Sequence, residues 1–555
     1  MLWLLTLLLA AWPQAQAPAP KPDLVFEGAV LYTSSEAAPR KASIVVGEGK
    51  ILFVGDPARA RKLGTGVRVV DLKGKFVFPG WADAHLHLDG LGKSKEVADL
   101  RGAADANEAA ARMASAAARL PAGVWVEGTG WDQNRWPERE FPDARSLDRV
   151  LPDRPAVARR VDGHAMWVNQ AALKAARVDA ATGDPEGGRI LRRPDGSPTG
   201  ILVDNAMALV RNVLPPPTPA DLERHFLAGA ASCAASGLTQ IQDASGYGQE
   251  QIAVLEGLAA KGQLPIRVYA TVSPTQMPRF VEKGMRLGGG SDFLTVRAVK
   301  AYADGALGSR GAALLADYSD EPGRRGLNVT SPERLAEIAR DARRAGWQVW
   351  IHAIGDRGNR VALDAFEKAA ESIPAAPDGA SRPRIEHAQI VALEDFPRFA
   401  RYGVIASIQP THATSDKAWA EDRIGPARLA GAYAWRRLKT SGATLAGGSD
   451  APVESEEPLM GFYAAVTRKD LSGQPAGGWR PAEKLSRKEA LALFTSDAAF
   501  AAFEETWRGR IAPGYAADLT VLSRDPMTAA EEEIPAIPVF MTVVGGRIVH
   551  GPAGP

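Results

Sequence analysis

From about residue 80 to residue 450 the chain alternates short apolar runs with longer stretches rich in Ala, Arg, Glu and Leu. That is the rhythm of βα units laid on a parallel sheet. Eight runs read as strands: WADAHLHL (81–88), LTQIQDA (238–244), PIRVYATV (265–272), LTVRAVKAYAD (294–304), VWIHAIGD (349–356), RIEHAQI (384–390), VIASIQP (404–410) and TLAGGSDAP (444–452). Helical stretches lie between most of them, such as SPERLAEIARDARRAG and GNRVALDAFEKAAESI. Ser331 before Pro332 reads as the cap of the first of these, with proline at the first helical position. Eight such units predict an α/β fold closed as a (β/α)8 barrel. Residues from about 100 to 210 interrupt the rhythm after the first strand. Rich in Trp, Gly, Asp and Pro, they read as an inserted subdomain.

The two ends share a different texture. DLVFEGAVLYT, KASIVVGEGKILFVGD and VRVVDLKGKFVFPG near the start, and AADLTVLSRDP and PVFMTVVGGRIVHG near the end, are short β runs broken by turn residues. They predict one small β-sandwich built from residues 21–80 and 505–555 around a barrel of 81–504. Residues 1–20, MLWLLTLLLAAWPQAQAPAP, hold an apolar run too short to span a bilayer and an Ala15-Gln16-Ala17 small-x-small pattern. They read as a signal peptide, so the expected setting is exported, periplasmic or secreted, with no membrane insertion beyond that segment.

Buried parallel strands should be nearly continuous apolar runs, and several here are not. His85 and His87 lie two apart on the first strand, so both face one way. Lys300 ends the apolar part of the fourth strand, His352 sits in the fifth, His387 in the sixth and Asp450 in the eighth. All fall toward C-terminal strand ends, where barrel enzymes place their chemistry. Buried ionisable groups are expensive unless paired or bound to a metal, so this concentration points to a metal site. Cys233 is the sole cysteine, which excludes a thiolate cage and an intrachain disulfide. Lys+Arg (66) and Asp+Glu (65) nearly cancel, so no charge field favours nucleic acid, and a small-molecule substrate is expected.

The segments DAHLHL, DGHAMWVN, VKAYADGALGSRGAAL, IHAIGDRGN, IEHAQ, SIQPTHATSD and GGSDAPVESEEPLMGFYAAVTR resemble the amidohydrolase superfamily in its amidohydrolase-3 (YtcJ-like) branch. The resemblance runs in order over nearly the whole chain. It implies that His85, His87, His352, His387 and Asp450 are metal ligands, and that Lys300 matches a lysine carboxylated to bridge two metals. The competing reading is an unmodified Lys300 beside a one-metal site or paired with Asp304. His and carboxylate donors suit one or two Zn²⁺ ions, with Mn²⁺ or Fe²⁺ as alternatives. The resemblance allows a homo-oligomer.

The expected chemistry is hydrolysis of an amide-type C–N bond other than a peptide bond. Water activated by the metal attacks, Asp450 acts as general base, and His352 or His387 helps polarise the carbonyl. The same centre acting on a lactone, phosphoester or C–C bond is the alternative, and a retired, exported binding protein a more distant one. Arg160, Asp162 and His164 in the insertion, Arg310 after the fourth strand and His412 after the seventh are candidate substrate contacts. Trp131 and Trp136 are expected in the core of the insertion. Asp83 is expected behind the histidine pair and Asp89 in a loop.

Overall fold

A computed structural model describes residues 20–34, 38–283, 292–373 and 381–552. All but the last residue of the signal-like segment lies outside them. The eight expected strands form one parallel sheet in chain order. They are β1 (Trp81–Leu86), β2 (Leu238–Tyr247), β3 (Arg267–Val272), β4 (Leu294–Tyr302), β5 (Gln348–Ala353), β6 (Arg384–His387), β7 (Ile405–Ile408) and β8 (Thr444–Gly447). Register sets Tyr302 opposite His352 and Ala353 opposite His387, so the polar strand ends are level.

No ladder joins β8 to β1, and the barrel is nearly closed by the chain just past β8. The Asp450 N–H donates to the His85 carbonyl (2.7 Å), and the His87 N–H donates to the Ala451 carbonyl (2.8 Å). Gly448 makes this approach feasible: a Cβ there would lie 2.5 Å from the His85 nitrogen. The helix Pro332–Arg344 starts where expected, with the Ser331 side chain accepting the Arg334 N–H.

Beneath the mouth the barrel interior is polar. Arg384, fully buried, donates to Glu386, Gln242, Ser407 and the Ala84 carbonyl. Its guanidinium carbon lies 3.7 Å from the Trp350 ring centroid. Such a layer is tolerable because every charge in it is met by a donor or acceptor.

Between β1 and β2 the chain builds a six-stranded sheet of Ala98–Asp99, Val126–Trp131, Ala156–Arg160, Ala165–Val168, Pro198–Asp204 and Gly188–Arg192, in that spatial order. Trp131 and Trp136 are buried in its core, stacked at 6.1 Å. Strands from both ends of the chain share a third sheet: Leu24–Leu31 and Phe76–Pro79 lie side by side, and Leu519–Leu522 pairs with the latter. No helix among the described residues is long and apolar enough to cross a membrane.

Candidate metal centre

His85 and His87 leave β1 on one face and converge on Asp450. The Asp450 Oδ1 lies 3.4 Å from His85 Nε2 and 3.1 Å from His87 Nε2. Its Oδ2 is 3.7 Å from His412 Nε2. His387 and Asp450 take left-handed backbone conformations at φ 75° and 61°, uncommon away from glycine. His387 is the last residue of β6, and Asp450 lies three residues past the end of β8. Two triads able to hold a cation result, His85–His87–Asp450 and His387–His412–Asp450, with the donor atoms of each within 4.8 Å of one another. His352 stands beside them, its ring centroid 4.5 Å from that of His387.

Four buried nitrogens here have no hydrogen-bond partner among the described residues: His85 Nε2, His387 Nδ1, His412 Nε2 and Lys300 Nζ. Burial, reinforced by His387, His164 and Lys300, holds the His352 ring well below the usual imidazole range. Burial does the same to His387, with Asp450 opposing and His85 assisting. Both rings are therefore neutral, the state a metal ligand needs. Burial pushes the Asp450 carboxyl up, but the His85 and His87 rings beside it outweigh this and hold the group well below the ordinary carboxylate range. Burial lowers the Lys300 amine to about 8 against the pull of Glu386 and Asp450. Asp304 is not its partner; that carboxylate accepts three backbone N–H groups, of Ala313, Ile354 and Gly355.

A cavity of about 240 Å³ opens over this floor. Asp450, His352, His387 and His412 line it from the barrel, and Arg160, Asp162 and His164 from the insertion. Arg160 is committed to Asp132, Asp162 and Gln133. His164 Nδ1 meets Asp204 Oδ1 at 2.7 Å, with its ring 4.8 Å from that of His352. Arg310 is not among the lining residues; it pairs with Asp320 (3.0 Å) and Glu321 (3.2 Å). The glycine-rich loop that carries it serves packing. A Cβ at Gly305 would lie 2.3 Å from the Asp204 carboxylate of the insertion. Asp83 accepts the backbone N–H groups of His85 and Ser449, which places it behind the pair. Asp89 accepts from Gly90 and Tyr247 at the start of the helix Leu88–Ser94.

A sequence profile of the amidohydrolase family matches residues 68–550. The chain belongs to the amidohydrolase family. It is 35% identical over 532 residues to YtcJ of Bacillus subtilis (strain 168), covering 95% of this chain and 99% of that one. It is 26% identical over 549 residues to the N-substituted formamide deformylase of Arthrobacter pascens, covering 96% and 99%. The crystal structure of an uncharacterized metal-dependent hydrolase from Pyrococcus horikoshii OT3 matches with a TM-score of 0.74 at 29% identity, covering 92% of this chain and 99% of that one.

Two groups of this amidohydrolase's centre escaped the sequence reading. Glu386 accepts from the Nδ1 side of His85 and from Arg384. Burial would raise its carboxyl, but Arg384 and His85 hold it well below the usual range. Arg384 and Glu386 are two apart on β6, inside a run expected to be apolar; that break in pattern was the available signal. Asp204, which orients His164, lies 40 residues away in sequence and has no comparable signature.

Proposed function

We propose that this amidohydrolase cleaves an amide-type C–N bond of a small molecule, with a divalent cation at the barrel mouth and Asp450 carrying the proton. The observation that carries this reading is the set of unpartnered buried nitrogens around one ionised carboxylate. Leaving each without a partner costs about 1–3 kcal/mol, and ring nitrogens gathered on a carboxylate fit a cation. His85, His87, His352, His387 and Asp450 would hold it. Oxygen and imidazole donors without thiolate suit one or two Zn²⁺ ions, and Mn²⁺ or Fe²⁺ accept the same set. Lys300 has no acceptor atom as an amine. Carboxylated, with its Nζ bonded to the carbon of CO₂ and one proton released to water, it becomes an anionic oxygen donor.

When bound, such an ion supplies water acidified to a pKa of about 7 and a Lewis acid for the carbonyl. Asp450 accepts the proton of the attacking water at its carboxylate and returns it to the leaving nitrogen. His412, and His164 steadied by Asp204, face the same cavity, and either would donate to the carbonyl oxygen. Arg160, Asp162 and His164 of the insertion line one side of this cavity. The amide reading draws support from the formamide deformylase relative, and the apolar N-terminal run supports an exported setting.

The test is metal quantification, then a screen of N-acyl, N-formyl and cyclic amides with metal-loaded and chelator-stripped protein. Turnover by the loaded form alone is expected. Undiminished activity in the stripped protein would sink the metal reading, and turnover of lactones or phosphoesters but no amide would overturn the bond assignment.

A further inference from the structure

The cavity wall farther along β7 and β8 holds carboxylates that the chemistry above does not use. Asp416 ends the helix Pro410–Asp416, Glu454 follows β8, and both line the cavity. Asp416 accepts from the Tyr433 hydroxyl (2.6 Å) and the Gln389 amide (3.3 Å), both on Oδ2. Glu454 accepts from the Ser415 hydroxyl on Oε1 (2.6 Å). All these donors are neutral, and among the described residues neither Asp416 Oδ1 nor Glu454 Oε2 receives a hydrogen bond.

The surrounding cations are committed elsewhere. Arg160 serves Asp132 and Asp162, Arg101 serves Asp99 and Arg135 lies 3.6 Å from Asp132. Arg423 is held by Asp320 and Asn134, and Lys417 pairs with Asp470 at 2.6 Å. The wall thus carries two carboxylates in excess of its cations. Burial, with Glu454 and Asp132 adding to it, pushes the Asp416 carboxyl up to about 7 even though His412 pulls the other way. His412, nine-tenths buried on the same helix and lining the same cavity, keeps an unpartnered Nε2.

We infer that the substrate carries a cationic group, a protonated amine, amidine or guanidine, that rests on Asp416 and Glu454 while its amide faces Asp450. This rests on the cavity being the substrate site proposed above. An N–H-bearing cation supplies the donors that the two free oxygens lack and makes charge-assisted bonds to both.

Three probes of similar length separate the possibilities: N-(3-aminopropyl)acetamide (cationic), N-butylacetamide (neutral) and N-acetyl-4-aminobutyrate (anionic). Their affinities for the metal-loaded full-length protein are measured by calorimetry, or as KM where a probe is turned over. The cationic probe should bind about 10–100-fold more tightly than the neutral one, and the anionic probe most weakly. Asp416→Asn and Glu454→Gln should each shrink that ratio, and together bring it near one. Equal binding of the cationic and neutral probes, a preference for the anionic one, binding by none, or a ratio that survives both substitutions would overturn the inference. The wild-type ratio is informative even where a variant fails to fold. Absence of amide turnover would count against the proposed reaction and leave the ratio standing.

Discussion

A neutral imidazole offers one lone pair, and the group on its other nitrogen decides which. Glu386 sits against the Nδ1 of His85, so the proton belongs there and Nε2 points to Asp450 with its lone pair free. Arg384 in turn fixes Glu386 through Nε at 2.8 Å. Glu386→Gln removes the anion that sets this tautomer while keeping the volume. Metal affinity, measured by competition with a chromophoric chelator, should fall about 10–100-fold; an unchanged affinity would show that the barrel alone orients the ring. Asp450→Asn should lower kcat by about 10²–10⁴-fold on any substrate found, measured in protein loaded to full metal content so that lost proton transfer is separated from lost metal. The histidine pair was legible from its two-residue spacing on a strand, whereas Glu386 was not. Its role depends on a partner 301 residues away, and only the barrel's register brings the two together.

The strands were the readiest elements to recognise, because each is a short apolar run bounded by helical sequence. What closes them is less visible. The seam between β8 and β1 is made by backbone bonds from Asp450 and to Ala451, in a stretch expected to continue the eighth strand but lying past Gly447, where β8 ends. It depends on Gly448, where a side chain would press on the His85 nitrogen at 2.5 Å. Backbone cannot give way as a flexible side chain does. Gly448→Ala should therefore cost about 1–3 kcal/mol, seen as a lower denaturation midpoint, and should weaken metal binding because His85 and Asp450 flank the displaced bond. Wild-type stability with wild-type metal affinity would mean the seam has slack. The six-stranded sheet of the insertion was equally hidden. Its segments carry glycine, proline and charge at close intervals, so no run is long enough to show a strand period, and only its tryptophans marked it as having a core.

At the scale of the whole molecule, the site occupies the C-terminal ends of the barrel strands, and the opposite ends are clasped by the returning C-terminal segment. Asp518 is the hub. It takes a two-pronged contact from Arg267 at the start of β3 (2.8 and 3.0 Å) and a bond from Arg508 (2.8 Å). Arg508 also binds Glu504, which accepts from Gln240 of β2. Burial alone would raise the Asp518 carboxyl, but the two guanidinium groups outweigh it and hold it well below the usual range. An unfolded aspartate titrates near about 3.9, so between the two values the unfolded chain binds the extra proton and stability rises with pH. The contribution is complete above about pH 4–5 and disappears as pH falls through the folded value. Asp518→Asn leaves two buried guanidinium groups short of an anion and should cost about 3–5 kcal/mol at pH 7. Denaturation curves from pH 7 down to pH 3 should show a gap that is constant to about pH 5 and then narrows as the unfolded carboxyl takes up its proton, with full convergence only below the folded value. A gap between them that stays constant across that range would mean that packing at Asp518, and not its charge, ties the C-terminal segment to the barrel.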